Sequence, residues 1–148
     1  MTKDIYMYLR LLKTSKPEQY FSYPTMVFFQ WNLDNNQRSK KMVELVKSKS
    51  EFTEHLAAAG TDGLVVVDFF ATWCGPCKAI APQIEEMAKT DYSMVKFLKV
   101  DVDECEEVAM DYEVSAMPTF KFIKGGKVVG ELIGANADKL KALIEEHK

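Results

Sequence analysis

Trp73-Cys74-Gly75-Pro76-Cys77-Lys78 stands between a continuous apolar run, Leu64 to Phe70, and a helical pattern that starts at Cys77. A run of that length and β-branched content reads as a central strand buried on both faces. A Cys-x-x-Cys turn at a strand-to-helix junction puts the first sulfur at a helix N-terminus. Unpaired backbone N–H groups and the helix dipole favour an anion there, so the thiolate of Cys74 is stabilised. Cys77 lies one helical turn further on, which lets the two sulfurs approach disulfide distance with little strain. Pro76 fits a first helical turn, where its missing N–H costs nothing. Gly75 leaves room beside the sulfurs for the backbone of a partner.

Working outward, Val43 to Val46 reads as a short strand, and Ser48 with Glu51 three residues on forms a capping box. A helix is predicted over 51–59, stopped by Gly60. After the cysteine pair, the helix over 77–89 carries Ile80, Ile84, Met87 and Ala88 on one face. Pro82 removes one hydrogen bond inside it and predicts a kink. A strand is expected over 95–102, then a helix over 104–112 capped by Asp103. Strands over 119–123 and 128–133 flank Lys124-Gly125-Gly126-Lys127, a hairpin signal. Leu140, Leu143 and Ile144 mark a terminal amphipathic helix. The order βαβαβαββα gives an α/β fold with a mixed central sheet covered by helices on both faces.

Asp68 stands in the middle of the buried strand, where a carboxylate is expensive unless paired or protonated. Desolvation should raise its pKa and make it a proton acceptor near neutral pH. Lys99 on the neighbouring strand is the expected countercharge; a purely structural Asp68–Lys99 pair is the alternative. Three cysteines, one tight pair plus Cys105, do not form a secreted disulfide framework and fit a reducing compartment. The competing reading of the pair is half a zinc site. Zinc needs further ligands at recognisable spacings, and only Cys105, His55 and His147 remain, so no metal is expected. His55 reads as a surface residue, Lys78 as solvated, and Cys105 as a half-buried inert thiol.

The residues 68–78 resemble the thioredoxin family, as do Pro82, Lys99-Val100-Asp101, Met117-Pro118-Thr119, Gly126 and Gly134, all in family order. The resemblance spans 42–148 and implies the thioredoxin fold and a thiol-disulfide oxidoreductase, a protein-disulfide reductase that maintains redox homeostasis. It implies Cys74 as nucleophile, Cys77 as resolving thiol, and a redox-active Cys74–Cys77 disulfide. Asp68 would deprotonate Cys77. The Met117–Pro118 bond would be cis and face the cysteines, with the backbone of Met117 free to receive an extended substrate segment. Trp73, Gly75, Pro76, Ala116 and Gly134 would complete an apolar docking patch. Some family members carry extra regulatory cysteines; Cys105 matches one such position, while Tyr112 and Ala116 stand at two others. The resemblance further implies no bound cofactor and electrons from NADPH through thioredoxin reductase. Peroxiredoxin and ribonucleotide reductase would be among its oxidised substrates, and the protein would be a monomer.

Residues 1–41 match nothing in that family. They hold seven basic and three acidic side chains, a charge of +4, whereas 42–148 carry −7. Eight of the seventeen aromatic residues fall in this quarter of the chain, so it is not ordinary low-aromatic disorder. Neither a secretory signal nor an Arg-rich, acid-poor presequence fits. The expectation is a domain at 42–148 preceded by an unassigned extension, either a translated upstream region or a partner-binding or tethering segment. A cytoplasmic address follows, with a mitochondrial one if the extension is a transit peptide. An acidic domain without a basic stripe argues against nucleic acid, and no apolar run reaches membrane-spanning length. A redox-dependent binding module is the alternative function.

Overall fold

The computed structural model describes residues 42–90, 92 and 94–148. Expectations placed on 1–41 lie outside the described residues. The elements are β1 (Val43–Val46), α1 (Lys49–Ala59), β2 (Leu64–Phe70), α2 (Gly75–Lys89), β3 (Lys96–Asp101), α3 (Glu106–Asp111), β4 (Thr119–Lys124), β5 (Lys127–Ile133) and α4 (Ala137–His147).

The five strands form one sheet in the order β1-β3-β2-β4-β5. β1 and β2 run parallel to β3, while β4 runs antiparallel to β2 and β5 to β4. The apolar run of β2 occupies the centre because it alone has no polar face apart from Asp68. Its odd and even residues feed two different cores. Leu64 and Val66 pack with Ile80, Ile84 and Met87 of α2 and Leu140 and Ile144 of α4. Val65, Val67 and Phe69 pack with Phe52 of α1 and Val108 of α3. Each fully buried side chain of this size contributes about 1.5–3 kcal/mol, so the two-faced strand anchors the domain.

The element order matches the sequence pattern, and most boundaries move by one or two residues. α1 starts at Lys49 with Ser48 as its N-cap, the Ser48 Oγ accepting the Glu51 N–H at 3.2 Å. The reciprocal half of the capping box is displaced, since the Glu51 carboxylate accepts the N–H of Lys47 at 2.8 Å. α2 runs unbroken through Pro82, and the imide nitrogen of that residue leaves the Lys78 carbonyl without its helical donor. The Gly125-Gly126 turn has φ of 57° and 74°, the doubly positive geometry that a two-residue hairpin with right-twisted strands requires. One expectation fails. Asp103 does not cap the third helix, which begins at Glu106 with Cys105 in the N-cap position.

Candidate active site

The cysteine pair lies where β2 ends and α2 begins. Cys74 is the N-cap of α2, and its Sγ accepts the N–H of Cys77 at 3.2 Å. Its own N–H donates to the Ala71 carbonyl at 3.1 Å, and its carbonyl accepts the N–H of Lys78 at 3.3 Å. These bonds lock the turn before any sulfur chemistry is considered. Cys74 and Cys77 are joined as a disulfide with Cα atoms 5.4 Å apart. Both are buried against Ala71, with Phe70, Val102 and Met117 closing the cluster. Gly75 and Pro76 are exposed beside them, and so is Lys78.

A second loop reaches the pair from the start of β4. The Met117–Pro118 peptide bond is cis. Met117 is half-buried against the cysteines, Pro118 is buried, and Ala116 is exposed. Two hydrogen bonds fasten this loop. Thr119 Oγ1 donates to the Ala116 carbonyl at 2.8 Å, and the N–H of Gly134 donates to the Pro118 carbonyl at 2.8 Å. Gly134 has φ of 97°, a backbone region that side chains disfavour, which is why the chain carries glycine where β5 leaves the sheet.

Trp73 is 66% exposed, so it is a surface group and not a core one. Its indole N–H donates to Asp103 Oδ2 at 2.8 Å. The N–H of Asp103 in turn donates to Oδ1 of the buried Asp101 at 3.0 Å. A third loop, after β3, therefore braces the tryptophan. Sequence reading assigned Asp103 to a helix cap and missed this role. The one available signal was its place just past a strand adjoining β2, where loops converge.

Asp68 is 3% exposed, and its Oδ1 has no hydrogen-bond partner among the described residues. Burial pushes its carboxyl up to about 7, and the positive charge of Lys99 is the opposing influence. The two residues sit directly across from each other in the β2–β3 register. They do not close an ion pair among the described residues. The Lys99 ammonium instead lies over the Phe70 ring, 4.5 Å from its centroid. Lys99 is thus a countercharge acting through space, not a salt-bridge partner.

Cys105 lies apart from the pair, in the core between the sheet and α1 and α3. It is buried, not half-buried, and its thiol donates to the Val46 carbonyl at 3.6 Å. Burial raises its pKa, and the nearby charges of Glu104, Asp101 and Glu51 raise it further. His55 pairs with Glu44 at 3.1 Å, and His147 packs against the Phe122 ring. Among the described residues no cluster of His, Cys, Asp and Glu has a metal-binding arrangement.

The Thioredoxin family model matches residues 41–146. Thioredoxin of Mus musculus is 58% identical over 106 residues, covering 72% of this chain and 99% of the relative. Thioredoxin of Rattus norvegicus is 59% identical over 105 residues, covering 71% and 98%. The solved structure of Fasciola hepatica thioredoxin superposes with a TM-score of 0.68 at 47% identity, covering 71% of this chain and 99% of that one.

Proposed function

The chain belongs to the thioredoxin family of thiol-disulfide oxidoreductases, and from that premise we propose that it works as a protein-disulfide reductase. The observation that carries the reading is the Cys74–Cys77 disulfide at the N-terminus of α2, beside the cis Met117–Pro118 loop. In the reduced protein the Cys74 thiolate attacks one sulfur of a substrate disulfide, forming a mixed disulfide and releasing one substrate thiolate. Cys77, deprotonated by Asp68, then attacks the Cys74 sulfur. The second substrate thiolate leaves, two electrons have passed to the substrate, and Cys74–Cys77 is oxidised. Thioredoxin reductase returns the two electrons from NADPH.

Position supports these roles. The dipole of α2 and the Cys77 N–H aimed at the Cys74 sulfur favour the thiolate. Asp68, poised at about 7, can accept a proton at neutral pH and release it again. The exposed Trp73, Gly75, Pro76 and Ala116, with Met117, Pro118 and Gly134 behind them, form the surface for an extended segment of the substrate protein. Residues 42–148 are the redox domain of a monomer, and residues 1–41 an extension outside it. The substrate class is oxidised proteins, peroxiredoxin and ribonucleotide reductase among them. The reducing cytoplasm is the compartment that keeps the dithiol ready. Among the described residues no helix is long and apolar enough to cross a membrane.

Purified protein at trace concentration, with thioredoxin reductase, NADPH and several unrelated disulfide proteins, should consume NADPH catalytically. Stoichiometric association without turnover would favour a redox-dependent binding module. NADPH consumption that persists in Cys74→Ser would sink the mechanism.

A further inference from the structure

Lys99 has two places to put its ammonium. Directly across the strand pair is the Asp68 carboxylate, and on the diagonal is the Phe70 ring, which pairs with Asp101 in the register. All lie on one face of β2 and β3, and cross-strand diagonals are within reach of long and aromatic side chains. The ammonium is found on the ring. Closing the pair with Asp68 would draw the ammonium toward a buried carboxylate, and the cost of removing it from water is of the same order as the attraction gained, so the two placements lie close in energy. Over the ring, half-buried Lys99 gains the ring attraction.

We propose that Phe70 is a positioning residue that holds the Lys99 ammonium on its face and thereby keeps it from closing an ion pair with Asp68. The inference rests on the reading of Asp68 as the proton acceptor for Cys77. It assigns Phe70 a task beyond packing against the cysteines. Without the ring, the ammonium moves toward the carboxylate, which is then ionised to a larger extent at neutral pH and holds its proton less tightly. The charged groups on this face of β3 are Lys99 and Asp101, and Asp101 is engaged by the Asp103 N–H. β4 places Phe120 opposite Asp68.

The test is a pH titration of the Asp68 carboxyl carbon by carbon-13 NMR in the oxidised full chain, where Cys74 and Cys77 do not titrate. Phe70→Leu should lower the midpoint by about half a pH unit, the ring attraction expressed as a shift. Phe70→Tyr, which keeps the ring face, should leave the midpoint in place. Lys99→Met should raise it, and Phe70→Leu on top of Lys99→Met should add nothing. Phe70→Met serves if Phe70→Leu does not fold. An unchanged midpoint in Phe70→Leu overturns the proposal. An equal shift with and without Lys99 also overturns it, because the ring would then act only by excluding water. The acceptor role is read separately from turnover of Asp68→Asn, where wild-type turnover would remove that role whatever the Phe70 titrations show.

Discussion

Cys74 and Cys105 occupy the same formal position, each the N-cap residue of a helix that follows a parallel strand of one sheet. Their surroundings make them opposites. The Cys74 sulfur faces its own helix and receives the Cys77 N–H, at the head of a fifteen-residue helix with no acidic residue in its first turn. The Cys105 sulfur makes no capping bond, turns inward to the Val46 carbonyl, and heads a six-residue helix whose first turn carries Glu106 and Glu107. A helix N-terminus alone does not activate a thiol. What counts is whether the sulfur points at the orphan N–H groups and what charges share the turn.

The sharpest break of this comparison is substitution of each thiol. Cys74→Ser should abolish NADPH-coupled turnover, whereas Cys105→Ser should stay within about twofold of wild type, since a buried thiol with a raised pKa supplies no thiolate. Brief alkylation of the reduced protein at neutral pH, read by peptide mass, should label Cys74 first and Cys105 last. Equal labelling would erase the distinction.

The next largest effect concerns the buried carboxylate of Asp68. The folded-state pKa of Asp68 is raised, so its contribution to stability is fully present below its unfolded value of 3.8 and is lost as pH rises through about 7. Asp68→Asn escapes that loss. Its denaturant-unfolding stability should match wild type near pH 3.5 and exceed it by roughly 3–4 kcal/mol at pH 8, while its turnover falls. A pH-independent difference would mean that Asp68 is not a buried acid.

Capping itself is tested by Ser48→Ala. Ser48 makes the side-chain bond that Cys105 lacks, so its loss should cost about 1 kcal/mol in chemical denaturation. Smallest is Asp103→Ala, which frees the Trp73 indole. It should lower kcat/KM for a protein disulfide by about threefold, the worth of one exposed hydrogen bond, with little change for a small-molecule disulfide and a shifted Trp73 fluorescence.

Much of this was legible in the chain. The two-faced burial of β2 follows from seven residues with one charge, and the helix after it from the periodicity of Ile80, Ile84 and Met87. Pattern fixes which faces are apolar, so the two cores were readable. Ends were less so, because a cap is decided by the backbone of one residue. Asp103 is a good capping residue by type, yet the chain turns two residues later and gives the position to Cys105. The Trp73–Asp103 bond and the perch of Lys99 on Phe70 join residues about thirty apart, and only the assembled sheet brings them together. The cis bond came from family resemblance; residue type alone favours trans.

The Gly125-Gly126 turn has a practical reading. Lys124 lies opposite Leu64, so the turn sits at the end of β2 remote from the cysteines. Seven residues of extended chain separate the two ends by roughly 20 Å. The hairpin tip is therefore the natural handle on this molecule. A fluorophore, an affinity tag or a spliced-in peptide can be carried there while the opposite pole goes on exchanging electrons with proteins that never meet the cargo.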